Sequence, residues 1–397
     1  MREQAERKSR SSRGQRSGRR GAVKDAVTVV VGVMTAGTLA LPAASAASSA
    51  SAEPAAPRTD SVQRGLNALV RSDGPPAALA SVKDRDGRAR TYTAGVGDLA
   101  TGAKVPRDGQ VRIGSNTKTF TAVVVLQLVA EGKISLDAPV ETYLRGLVRG
   151  DGIDGRRITV RQLLQQTSGL PDYVKHLGED IRYYAPRDLL DLALQHKADS
   201  APGTKWAYSN TNYVLAGLIV QKVTGRPVGQ EITRRVIDRI GLRHTSFPAP
   251  HDMTIREPHP KGYQQGEAGT PPLDATEWDP SWAWAAGQMI STNSDLNRFF
   301  AALLSGRLLP KAQLAQMRTT VPAGPPFASG ARYGLGLVST PLSCGGVYWG
   351  HGGSMTGYET RGGATEDGRA ANIAVTTQPG QATMKRVENV VDTALCR

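Results

Sequence analysis

Two cysteines in 397 residues leave no paired Cys/His spacing for a zinc site, and no His-Glu-x-x-His is present. No Gly-x-Ser-x-Gly occurs, which argues against a nucleophile elbow. No Walker or dinucleotide glycine pattern sits at a strand-to-helix turn. The residues thus call for neither a metal nor a cofactor. The net charge of +14 comes without any run of Lys/Arg interleaved with aromatics, so it reads as a solvated basic surface and not a nucleic-acid site. Such a surface suits an anionic polymer such as a cell wall. The longest apolar stretch, Ala26 to Leu41, is short for a membrane span, and no stable anchor is expected. There is no internal repeat.

What is present first is a leader. Residues 1–46 hold nine Lys/Arg against three Asp/Glu, so six of the fourteen net positive charges lie there and eight remain. A basic segment ends at Lys24, the apolar stretch follows, and Ala44-Ser45-Ala46 offers a cleavage site. This is the pattern of an export signal, implying a secreted protein. Arg19-Arg20 with Lys24 loosely resembles a twin-arginine signal, though Ala22 stands where a large apolar residue is usual. Residues 47–60 read as a flexible linker. The rest, 61–397, is 337 residues, enough for one large domain.

The stretch Val111 to Glu131 organises that domain. Val111 to Ile113 reads as a strand end, Gly114 as a turn, and a helix is expected to open at Ser115 or Asn116. Phe120, Val123, Val124, Val125, Leu126 and Leu128 make it apolar all round, hence buried. Lys118 lies three residues after Ser115, on the same face. A buried lysine has its pKa pushed down and can act as a base toward a serine hydroxyl. The helix start also offers N–H groups to an oxyanion. Ser-x-x-Lys occurs once, about as often as chance gives, so its context carries the weight.

Around it, residues 61–72 read as an amphipathic helix. Ala78 to Lys83 and Arg88 to Gly95 read as a hairpin. Thr159 and Gln162 form a capping box before 160–166. Helices are expected over 186–196, 210–224 (ending at Gly225), 228–239, 294–305, 310–317 and 381–395. Strands are expected at 286–290, 333–338, 346–349, 358–363 and 370–377. Residues 244–282 show little periodicity and suit a cleft border. Strands at both ends and helices between predict an α+β fold: one antiparallel sheet flanked by helices, with an inserted helical lobe. The sheet lobe covers about 61–135 and 285–397, the helical lobe about 136–284.

Two further pieces could carry chemistry. Tyr208-Ser209-Asn210 is the only Tyr-x-Asn. A tyrosine near a lysine can pass protons, and an asparagine amide can both donate to and accept from a substrate amide. His351-Gly352-Gly353-Ser354 follows a strand, where glycines let a substrate backbone lie close. His176-x-Gly178 shares the pattern but lies in a polar loop. Trp278, Trp282 and Trp284 read as core or as a cleft wall, with the wall favoured. Cys344 and Cys396 suggest one disulfide in an oxidising compartment, the alternative being two buried thiols.

Ser115-x-x-Lys118, Tyr208-x-Asn210 and His351-x-Gly353, in that order and spacing, resemble the penicillin-recognising serine hydrolases. The resemblance extends through GSNTKTFTAVVVLQLVAEGKISLD, ITVRQLLQQTSGL, YSNTNYVLAGLIVQKVTG and YGLGL. The branch looks like the secreted serine D-Ala-D-Ala carboxypeptidases and class C β-lactamases. It implies the β-lactamase/transpeptidase-like fold, no cofactor, peptide or peptidoglycan substrates, and β-lactams as covalent inhibitors or poor substrates. It implies that Ser115 attacks the acyl carbonyl, that Lys118 and Tyr208 move its proton, and that Asn210 holds the substrate amide. His351 would support the leaving group, Ser115 and Ser354 N–H groups would hold the oxyanion, and Trp282 would line the cleft. An esterase, a D-amino-acid amidase or aminopeptidase, a β-lactamase, or a non-catalytic cell-wall-binding protein are the alternatives.

Three positions depart from the family. Gly352 stands where carboxypeptidases have Thr, and Val338 where they have Arg, both carboxylate-binding. Gln166 stands where His is usual. Weak preference for a free carboxylate is expected, with Val338→Arg plus Gly352→Thr expected to restore it.

Overall fold

The computed structural model describes residues 60–178, 182–266 and 270–397, all within one unit. The leader and the linker up to residue 59 lie outside the described residues. Asp60, read as the linker's end, instead caps the first helix, Ser61–Asp73. Its carboxylate accepts the Val62 N–H at 2.9 Å.

The hairpin forms as expected. Ala77–Lys83 pairs with Ala89–Asp98, Ala80 opposite Tyr92, and Gly87 takes φ +84° in the turn. The main sheet is antiparallel throughout. From edge to edge its strands are Val321–Pro322, Arg332–Tyr333, Val338–Pro341, Val347–Gly350, Tyr358–Ala364, Ala370–Val375, Ala77–Lys83, Ala89–Asp98 and Ala103–Lys104. Gly353–Met355 pairs with Tyr358–Ala364 beside this path. The first and last parts of the chain therefore meet at the centre, Ala80 opposite Ile373. Both faces of that centre are covered, so Ala77 to Val82 is buried at every position and reads AALASV without alternation. Ser61–Asp73 and Gln381–Leu395 pack on one face and Asn293–Leu304 on the other.

The larger core surrounds the helix Thr117–Ala130, buried from Thr117 to Leu128. Helix Thr211–Thr224 packs against it and ends at Gly225 in the left-handed region. The capping box at Thr159 is present, with Thr159 N–H to Gln162 Oε1 at 2.9 Å. The helices and the antiparallel sheet make the α+β arrangement expected from the sequence.

Three expectations change. Residues 286–290 are not a strand: Trp284–Gly287 is a helical turn and only Ile290–Ser291 pairs, with Val111–Arg112. A short buried apolar run carries no period that separates the two. The strand at 333–338 is split, because Gly334 N–H turns back to Leu337 O at 2.8 Å. The helix over 228–239 contains a wide turn, Thr233–Ile237.

Candidate active site

Ser115 lies in a single 3₁₀ turn, Gly114–Asn116, ahead of the helix proper at Thr117. The expected N-cap is absent. The Asn116 side chain instead donates to Ile113 O at 2.9 Å and Thr360 Oγ1 at 2.8 Å, pinning the turn to the sheet. Gly114 has φ +49°, and a β-carbon there would stand 2.7 Å from Ser354 N. One on Gly353 would run into the Ile113 carbonyl and stand 2.9 Å from Ser115 N. Two facing glycines thus bring the backbones of Ser115 and Ser354 together.

Lys118, wholly buried, reaches three oxygens: Ser115 Oγ at 3.0 Å, Asn210 Oδ1 at 2.7 Å and Ala286 O at 2.8 Å. Burial brings its pKa down to about 7, against the opposing charge of Asp172. Ala286 and Asn210 offer carbonyl oxygens, which only accept. A neutral Lys118 therefore spends its two N–H groups on them and turns its lone pair to the Ser115 hydroxyl.

Tyr208 and Asn210 come from the loop before Thr211–Thr224. Gln166 positions that loop: its Oε1 accepts from Ser209 N at 3.0 Å and Asn212 Nδ2 at 2.6 Å. Asp172 holds Asn210, accepting from its side-chain amide at 3.2 and 3.1 Å and from its backbone N–H at 3.1 Å. Tyr208 bonds to Ser115, but burial, with Tyr333 adding to it, holds the phenol well above its usual pKa. It stays protonated while Lys118 titrates.

His351 is 4% exposed, and burial, then the Lys118 charge, bring its pKa down to about 3. Its Nδ1 faces Gly352 O at 2.6 Å, so Nδ1 carries the proton. Nε2 then accepts from the Tyr333 hydroxyl at 3.1 Å. Ser354 Oγ donates to Glu359, which is buried against Arg361.

Ser115, Tyr208, Asn210, Trp282, His351 and Gly353 line one cleft of about 240 Å³. The tryptophan cluster divides. Trp282 lines the cleft, while Trp284 is buried against Gly217. His176 instead stacks on His196 at 3.4 Å. Sequence reasoning missed Asp172, Phe327 and Tyr333 as neighbours of the site and did not place Arg361 in the cleft, which it lines. Only Tyr333 lay in a quoted motif, YGLGL. A larger hollow of about 570 Å³, between Tyr184, Phe247 and Trp284, does not include Ser115.

Cys344 and Cys396 form a disulfide with Cα atoms 5.7 Å apart. No helix of the described residues is long and apolar enough to cross a membrane.

Comparison with known proteins agrees with this geometry. Over 83% of its length the chain superposes on 97% of a D-stereospecific amidohydrolase from Streptomyces sp., at 40% identity and TM-score 0.75. A D-amino acid amidase from Ochrobactrum anthropi, complexed with L-phenylalanine amide, gives 28% identity and TM-score 0.76 over 84% of this chain and 97% of that one. Among curated relatives, penicillin-binding protein 4 of Amycolatopsis lactamdurans is 31% identical over 62% of this chain. The putative penicillin-binding protein PbpX of Bacillus subtilis is 28% identical over 70%. The matches span 66% and 65% of those two relatives, just under two thirds of their length. The beta-lactamase family profile matches residues 63–395, and the chain belongs to that family of penicillin-recognising serine hydrolases.

Proposed function

We propose that the protein is an exported acyl-serine hydrolase that cleaves amide or ester bonds after a D-configured residue, with Ser115 as nucleophile. The observation that carries this reading is the Lys118 lone pair, aimed at Ser115 Oγ from 3.0 Å by two carbonyl acceptors. As Oγ bonds to the acyl carbon, its proton passes to Lys118. The oxyanion lies between the N–H groups of Ser115 and Ser354. The carbon–nitrogen bond then breaks as Tyr208 gives its proton to the leaving nitrogen and takes one back from Lys118. Water attacks the acyl-enzyme by the same relay. Asn210 and Trp282 hold the acyl side, and His351 supports the leaving-group side.

The amidase neighbours favour a D-amino-acid amide or ester over a D-Ala-D-Ala peptide. A carboxypeptidase is the second reading, supported by the penicillin-binding relatives, and acylation by β-lactams belongs to both. A labelled penicillin or activated D-amino-acid ester is expected to add one acyl group to the protein and none to Ser115→Ala. Label retained by that variant would refute the assignment. Binding of cell-wall fragments without Ser115-dependent turnover would make the protein a binding module.

A further inference from the structure

A leaving group receives its proton from Tyr208 and so departs toward that side of the cleft. Beyond Tyr208 stands His351, with ring centroids 6.3 Å apart, and then Gly352 and Arg361. The Arg361 guanidinium lies over Gly352, and a β-carbon on Gly352 would stand 2.6 Å from Arg361 Nη1. The cation therefore fills the volume that a larger residue at 352 would claim.

That cation is already engaged. Nη1 donates to Glu359 and, at 2.8 Å, to Thr360 O. Nε faces Glu388 at 3.7 Å, and Nη2 meets Met384 Sδ. Glu359 is 1% exposed and Glu388 is 17% exposed. Lys385, mostly exposed, faces Glu388 from outside at 3.8 Å, where solvent screens it. One guanidinium of the cleft wall thus faces two carboxylates behind it. An incoming carboxylate would be the third, drawn by one charge that two others already offset.

Resting on the acyl-serine reading, we propose that Gly352, Glu359, Arg361 and Glu388 form a leaving-group subsite that selects uncharged leaving groups against those bearing a free carboxylate. Arg361 shapes the subsite and the two glutamates withhold its charge. The leaving groups it takes are ammonia, amines, alcohols and carboxamide-capped amino acids.

Two substrates that differ only in terminal charge test this: N-acetyl-D-alanyl-D-alanine and its C-terminal amide. Wild type should favour the amide in kcat/KM by about tenfold. Glu388→Gln should shrink that preference about threefold and Glu388→Lys should abolish it, since each step leaves Arg361 less neutralised. The ratio of the two substrates is the readout, since it cancels any loss common to both, and acylation of Ser115 by an activated neutral ester is followed alongside to show that each variant folds and acylates. A native preference for the free acid, or an amide preference that is unchanged in both variants while ester acylation persists, overturns the subsite but leaves the acyl-serine reading intact. Absence of any Ser115 acylation in wild type sinks that reading, and the subsite with it.

Discussion

Asp172 accepts the side-chain amide of Asn210 on both carboxylate oxygens, at 3.2 and 3.1 Å. A carboxylate only accepts, so the Asn210 amide is fixed with its Nδ2 toward Asp172 and its Oδ1 toward Lys118. One acidic side chain thereby orients the contact that turns the lysine lone pair to Ser115. Its charge also raises the Lys118 pKa against the burial that lowers it.

Asp172→Asn is therefore expected to act twice. A lost hydrogen bond to a charged group is worth about 1.5–3 kcal/mol, which predicts a fall of roughly 10- to 100-fold in kcat/KM. Removing the anion also lowers the Lys118 pKa, so the acid limb of the pH–rate profile should move to lower pH. Asp172→Glu should recover part of both effects. A fall in rate with no movement of the limb would leave Asp172 a purely structural role.

The wild-type pH profile carries its own prediction. Lys118, with a pKa of about 7, must be neutral to take the Ser115 proton. The log of kcat/KM on an uncharged ester should rise with unit slope below about pH 7 and level off above it. His351, at about 3, stays neutral throughout and contributes no limb there. An acid limb near pH 4 would transfer the base role from Lys118 to a carboxylate.

Gly352→Thr with Val338→Arg is expected from sequence to restore carboxylate binding, and packing sets a cost against it. The new side chain at 352 would displace the Arg361 guanidinium from beside Glu359. Val338 is 3% exposed, packed with Tyr333 and next to Trp206, Tyr208 and Phe327. An arginine there puts a larger, charged side chain into a packed hollow that Val338 shares with Arg361 and Glu388. The double variant overpacks the site and should lose about 1–3 kcal/mol of stability. It should also turn over both acid and amide substrates more slowly. Thermal unfolding and paired kinetics decide it, and an unchanged melting temperature would contradict the packing argument.

The Cys344–Cys396 bridge closes a loop of 52 residues between a sheet turn and the last helix. Loop-closure entropy assigns it about 4 kcal/mol. Denatured protein from an oxidising compartment should show no free thiol, and reduction should lower the melting temperature. Two titratable thiols in that material would contradict the bridge.

The sequence alone determined much of this protein. Ser115 and Lys118 were legible because i and i+3 share a helix face, and Val123 to Leu128 announced burial. The hairpin at Asp84 to Gly87, the capping box at Thr159 and the stop at Gly225 were legible because their signals are local. Order and spacing of three short motifs carried the family. What only the tertiary structure decided is which residues of separate elements meet. Asp172 meets Asn210 across 38 positions, and Arg361, in the strand Tyr358–Ala364, meets Gly352 in the turn before Gly353–Met355. Neither contact has a period or a spacing to read. Ala77 to Val82 shows no alternation because both faces are covered, and Trp284 parted from Trp282 because Trp284 opens the helical turn Trp284–Gly287 while Trp282 lies before it. Sequence named the groups that do chemistry, since their local geometry is fixed by the backbone. Packing chose the partners that set their charge, because those partners meet only when separate elements close around the site.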